Sequence, residues 1–350
     1  MRKSITPFVL ALSMAAGPVL GQSAIALQDN APDSYTVVRG DTLWGIAGKF
    51  LKDPWRWPEI WRLNQEQIKD PHWIYPGNVI VLDRAKTPPQ LSLEQGQETV
   101  KLSPQVRSEP LAAEAIPAIP TRVIEPFLSQ PLVIEAGGLE EAPRIVATEE
   151  NRVHLGPGGT AYVSGLGASK QVVWQIFRPG QPLIDPDSQR TLGYEAVFVG
   201  TGRIVRAGDP ATMQIIASKQ EASYGDRLLA LAGPTINQYV PHAPRTAFEG
   251  RIIGLYDKLP TSEGGRNSII SLNKGQRDGL EVGNVLALYR SGNTIADPTS
   301  GLRPASAPTI RLPDERYGLV FVFRTFDAVS YALVMESTRA VTPGDWLRSP

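Results

Sequence analysis

The chain has 350 residues, 42% of them hydrophobic and 20% charged, an ordinary globular composition long enough for two or three separate cores. Lys plus Arg and Asp plus Glu both number 35, so the charge balance favours neither a nucleic-acid surface nor an acidic cation buffer. The absence of cysteine removes thiol nucleophiles, Cys-ligated zinc, disulfides and the lipid attachment point of a bacterial lipoprotein.

At the N-terminus, Arg2 and Lys3 precede an apolar run from Ile5 to Leu20, and Ala24-Ile25-Ala26 fits a small-x-small cleavage pattern. Residues 1–26 read as a secretory signal, which places the mature chain in the periplasm or cell envelope with Leu27 as its first residue. A bilayer span needs ~20 predominantly apolar residues, and this run is shorter and broken by Pro7, Gly17 and Pro18. An uncleaved anchor is the alternative. No other segment is apolar enough to span, so the mature chain is expected to lack a transmembrane segment.

Residues 35–82 carry a compact pattern. "YTVVRGD" alternates as a strand and ends in Gly40-Asp41, where the aspartate can cap a helix. Leu43, Ile46, Ala47 and Phe50 then fall at i, i+3, i+4 and i+7, the apolar stripe of a short amphipathic helix. "DPWRWPEIWRLN" predicts a second helix, with Pro58 in its first turn and Trp57, Ile60 and Trp61 on one face. "HWIYPGNVIVL" supplies a turn at Pro76-Gly77 and a second strand. The β-α-α-β order lets the strands pair antiparallel with both helices on one face.

"YTVVRGDTLWGIAGKF", the Asn64 at the end of the second helix and "IYPGNVIVL" resemble a LysM module, a peptidoglycan- or chitin-binding unit that recognises N-acetylglucosamine-containing glycans. The resemblance covers about a seventh of the chain. It implies a sugar site between the loop after the first strand and the loop before the second. This sets Gly40, Asp41, Thr42 and Leu43 opposite Ile74, Tyr75, Pro76 and Gly77, with Asn64 as a further family position. Backbone amides and carbonyls for the N-acetyl group and an apolar face for the pyranose suffice there. Gly45 stands where the family usually has Ser, and Gly48 follows; each costs a helix ~1 kcal/mol relative to Ala. Trp44, Trp55, Trp57 and Trp61 are expected in the module's core.

Residues 84–143 hold nine prolines, and 84–120 read as a Pro-rich linker, able to extend over roughly 100 Å as polyproline chain. The remainder contains a repeat. "FRPGQPLIDP" (177–186) matches "YRSGNTIADP" (289–298), and "ATMQIIASKQEASYGDRL" (211–228) aligns without a gap on "SYALVMESTRAVTPGDWL" (330–347). Two related modules, 121–235 and 245–350, are expected to be mostly β, as small barrels or sandwiches, because their apolar runs are short, β-branched and punctuated by glycine.

Enzymatic signals are weak. His72, His154 and His242 are scattered outside any metal-ligand spacing, so no metal and no cofactor is expected. The acidic pairs Glu140-Glu141, Glu149-Glu150 and Asp185/Asp187 lie in turns and read as solvated charge rather than as two carboxyls held across a cleft. "GPGG" (156–159) and "EGG" (263–265) lack a following GK[ST] and read as turns.

These features together predict a non-catalytic exported protein. Its α+β LysM module binds wall glycan and tethers β-rich modules that contact envelope proteins, with no nucleic-acid partner. A wall hydrolase with an unrecognised carboxylate site in the C-terminal half is the alternative.

Overall fold

The structure, a computed structural model, describes residues 25–62, 74–86, 89–94, 116–128, 133–135, 138–167, 169, 171–230, 239–256, 263–300, 303 and 306–350. Asn64, His72, Trp73, most of the predicted signal and residues 95–115 lie outside them.

Strand β1 (Ser34–Thr36), helix α1 (Leu43–Phe50), a 3-10 turn at Pro54–Arg56, helix α2 (Trp57–Arg62) and strand β2 (Val79–Asp83) follow in the expected order. β1 and β2 pair antiparallel, with Tyr35 opposite Ile80. The predicted stripe Leu43, Ile46, Ala47 and Phe50 is fully buried and packs with Trp57, Ile60, Ile74 and Ile80, as a 3.6-residue apolar period requires. A third strand, β3 (Gln90–Glu94), lies where composition predicts linker; it pairs antiparallel with β2, Leu91 opposite Leu82. "QLSLE" alternates, and burying Leu91 completely is worth about 2 kcal/mol.

Helix α3 (Thr121–Leu128), strand β4 (Val133–Glu135) and the short helix α4 (Gly138–Glu141) lead into the first barrel. Its strands are β5 (Arg144–Thr148), β7 (Thr160–Ser164), β8 (Val173–Ile184), β9 (Thr191–Arg206), β10 (Ala211–Ser218) and β12 (Arg227–Ala230), with the two-residue strands β6 (His154–Leu155) and β11 (Ala222–Ser223) paired beside them. The hydrogen-bonded circuit runs β5-β7-β10-β9-β8-β12 and returns to β5, while β4 is added along β9. The second barrel comprises β13 (Glu249–Tyr256), β14 (Ile269–Leu272), β15 (Val285–Arg290), β18 (Glu315–Thr325), β19 (Ser330–Ser337) and β20 (Trp346–Arg348). A ribbon of β16 (Thr294–Ala296) and β17 (Thr309–Arg311) projects between β15 and β18. Its circuit is β13-β14-β19-β18-β15-β20. Numbered by chain order, both barrels close as 1-2-5-4-3-6, so the sequence repeat is a repeat of topology.

The matched motifs turn out to be two ends of one ion pair. Arg178 in the first motif donates from Nε and Nη2 to Asp226 at 2.8 and 2.9 Å, and Arg290 donates in the same way to Asp345 at 3.3 and 3.0 Å. Each carboxylate also accepts a turn amide, from Ser223 and Thr342 respectively. Each guanidinium further bonds a backbone oxygen, that of Glu221 or Ala340. Gly225 and Gly344, just before the aspartates, sit at φ of 86° and 87°, backbone that glycine adopts without strain. Bidentate pairing fixes the guanidinium plane as well as its distance.

The barrels differ in what covers them. In the second, Ile252, Ile270, Leu272, Leu286, Val320 and Ala332 fill the interior. The alternate residues, including Ile269, Val285, Phe321, Tyr331 and Leu333, are buried too, in a cluster with Trp44, Ile119 and Ile124. Its wall is therefore apolar on both faces, as in "GLVFVFR". β10 of the first barrel alternates buried and exposed positions instead. Phe127 of α3 stacks edge-on against Tyr256 at 5.0 Å, Arg324 donates to the Phe127 carbonyl at 2.7 Å, and Asn273 joins the barrels by donating to Asp185 at 2.7 Å.

Candidate functional site

Main-chain bonds tie the turn after β1 to the turn before β2. After β1 the chain turns through Gly40, at φ 97°, and the Asp41 carboxylate accepts from the Val38 amide at 2.9 Å and the Tyr35 hydroxyl at 3.0 Å. Burial, then the bond to Asp41, pushes the Tyr35 phenol above its ordinary value. Asp41 is not the helix cap: Thr42 is, its Oγ1 accepting from Gly45 N at 3.0 Å. The aspartate lies one residue too early and is committed to closing the turn. Gly45 suits that cap, since a Cβ there would sit 3.2 Å from Thr42 Oγ1. In the facing turn, Asn78 Oδ1 accepts from Tyr75 N at 2.9 Å, and Gly77 adopts φ 96°. Val37 ties the turns together, accepting from Gly77 N at 2.8 Å and donating to the Asn78 carbonyl at 2.8 Å.

Of the expected site residues, Gly40, Pro76 and Gly77 are exposed, Asp41, Thr42 and Tyr75 are half-buried, and Leu43 and Ile74 are fully buried. The side chains of Leu43 and Ile74 belong to the core, so only their backbone groups can face a ligand. Those groups are engaged. Leu43 N and Trp44 N, at the open N-terminus of α1, donate to the carbonyls of Pro117 and Ala118 at 3.0 and 3.1 Å, and the Ile74 carbonyl accepts from Ile116 N at 2.9 Å. Residues 116–119 thus cross the cleft as a strap, with Ile116, Ala118 and Ile119 buried. The linker reading gave these residues no role.

The tryptophans divide. Trp57 lies in the LysM core, but Trp44 and Trp55 pack against the second barrel's cluster, and Trp44 Nε1 donates to Glu336 at 3.3 Å. The Trp61 side chain lies outside the described residues. Asp53 adds an ion pair with Arg316 at 3.5 Å.

The remaining candidates are absorbed by the fold. Asp185 accepts from Asn273 and Ser188, and Asp187 pairs with Arg251 at 2.7 Å, so these two carboxylates join the barrels rather than standing as solvated charge. Burial drives the Asp185 carboxyl upward, but the bonds from Asn273, Ser188 and Asp187 outweigh it and hold the group below its usual range. Glu150 pairs with Arg152 on the surface. His154 meets Ser223 Oγ at 2.9 Å and His242 the Val240 carbonyl at 3.0 Å. "GPGG" is a turn, closed by Gly159 N donating to the Gly156 carbonyl at 3.1 Å. No helix among the described residues is long and apolar enough to cross a membrane.

The LysM domain family model matches residues 35–83. A stretch of 57 residues is 46% identical to the protein described as Uncharacterized protein YqbP of Bacillus subtilis (strain 168), covering 14% of this chain and 26% of that protein. The chain thus matches about a quarter of the length of this curated relative. With the capped α1, the paired β1 and β2 and the Tyr75–Asn78 turn in place, residues 35–83 are a LysM domain, a glycan-binding module.

Proposed function

We propose that the protein is exported and binds the glycan strands of peptidoglycan through its LysM domain, holding two β-barrels at the wall to contact envelope proteins. The observation that carries this reading is the pair of facing turns, Gly40–Leu43 and Ile74–Gly77, inside the matched region. They carry main-chain donors and an acceptor of the kind an acetamido group needs, which residues 116–118 bond in this structure. Cleavage after Ala26 leaves Leu27, which bridges to Leu51 at the edge of the domain. Gly40, Asp41, Thr42, Leu43, Tyr75, Pro76 and Gly77 line the site. The role is binding rather than hydrolysis: Asp185 and Asp187, the carboxylate pair best placed for a rival reading, are spent on the barrel junction.

The test is co-sedimentation of the full mature chain with purified sacculi. Retention that survives added salt, because no ion pairs are needed, and that is abolished by muramidase digestion is the expected result. A folded chain that stays in the supernatant at all loadings defeats the reading, and release of reducing sugar from sacculi defeats its non-catalytic part.

A further inference from the structure

The strap makes three main-chain bonds to the two turns. The first amides of a helix have no partner within it, and in α1 Leu43 N and Trp44 N are supplied by the Pro117 and Ala118 carbonyls, while the facing Ile74 carbonyl receives Ile116 N. A peptide group and an acetamido group are both secondary amides, offering a carbonyl acceptor and an N–H donor of similar size and polarity. A cleft that suits one suits the other. Apolar packing reinforces the strap: Ile116 and Ala118 join the LysM core, and Ile119 packs with Trp44 and the second barrel.

We propose that residues 116–119 are a tethered occupant of the LysM cleft, and that glycan binds only when this strap is displaced. The inference rests on the cleft being the glycan site. Its consequence is quantitative, because the apparent affinity equals the intrinsic affinity multiplied by the fraction of molecules with the strap released. The strap also couples the cleft to the barrels. Pro120 accepts from Val123 N at 3.1 Å, so Ile119 leads directly into α3, whose Ile124 and Phe127 lie on the second barrel. Movement of α3 on that wall pulls on the strap.

Amide hydrogen exchange on the full wild-type chain, with and without a soluble N-acetylglucosamine pentamer, reads the competition directly. Saturating pentamer should speed exchange at Ile116 by about tenfold or more, while Leu43 and Trp44, re-bonded to sugar, stay protected. Pentamer that binds by calorimetry yet leaves Ile116 exchange unchanged overturns the proposal. In parallel, the full-length double variant Ile116→Asp/Ile119→Asp should bind sacculi about tenfold more tightly than wild type. Equal binding by both overturns the strap while leaving wall binding intact. Absence of binding by both, with the α1 amides still protected, removes the glycan reading and the strap with it.

Discussion

Tyr317 donates its hydroxyl to Asp345 at 2.7 Å, inside the second barrel and beside the bidentate bond from Arg290. The first barrel has the same Arg–Asp pair but no phenol there: Lys219 N donates to the Val199 carbonyl as Thr338 N does to that of Tyr317, so Val199 occupies the equivalent position. Asp345 therefore accepts from two hydroxyls beyond the duplicated set, those of Tyr317 and of Thr342 at 3.0 Å.

The two aspartates should respond unequally to the same change. Asp345→Asn leaves Arg290 without its anion and weakens bonds from Tyr317 and Thr342, at a cost of about 3 kcal/mol, whereas Asp226→Asn costs about 1 kcal/mol less. Tyr317→Phe should remove most of the difference. Denaturant unfolding of the four proteins measures it, and equal losses at Asp226 and Asp345 would contradict the role given to the phenol.

Acid and base should act on different groups. Burial pushes Asp345 upward, but Arg290, Tyr317 and Thr342 outweigh it and leave the carboxyl below its usual range. Its contribution is thus present above the ordinary aspartate pKa and is lost as pH falls through the lowered one. Glu195 of β9 has the opposite sign, because burial raises it. Stability is greatest below the ordinary glutamate pKa and declines as pH rises through the raised value. Glu195→Gln should raise the melting temperature at neutral pH and flatten the slope in mild acid; a lower melting temperature at neutral pH contradicts this assignment.

The cap and the turn of the LysM domain separate by substitution. Thr42→Ala should cost about 1 kcal/mol through the lost bond to Gly45 N, with faster amide exchange at the start of α1. Asp41→Ala should instead loosen the 38–41 turn and leave the first helical turn protected. Identical exchange patterns would show that the aspartate supports the helix directly.

Gly200 and Gly318 mark a close approach of β9 to β10 and of β18 to β19. A Cβ would lie 2.4 Å from the Ala217 carbonyl oxygen or 2.3 Å from that of Glu336, so each hairpin must open to admit it. Alanine at either position should cost about 3 kcal/mol. Thermal unfolding unchanged within error would mean that the hairpins part without penalty.

The LysM domain was legible because its signals are local. The Leu43-to-Phe50 stripe, Pro58 and the Pro76-Gly77 turn each act within a few residues. The repeat was legible as spacing, yet only contact showed that Arg178 and Asp226 are partners, since they meet across 48 positions. β3 escaped notice because its alternation, Leu91 and Leu93, is short and sits in Pro-rich text. The strap escaped for a deeper reason: it binds through main-chain atoms, and Ile116 to Ile119 is too short to show a period. The partner of Trp44, 292 residues away, has no local signature at all.

That separation bears on the order in which the protein can assemble. A chain made from its N-terminus completes the LysM domain, the strap and the first barrel before β18 and β19 exist, and non-local contacts of this kind form last. Until they do, Trp44, Ile119 and Ile124 have no wall to lie against, and the outer faces of Ile269, Phe321 and Leu333 later emerge just as uncovered. The C-terminal barrel is thus the keystone of the molecule. Chains interrupted before residue 245 keep every local element of the glycan domain but expose the apolar side of their own strap, which makes such fragments prone to stick to one another.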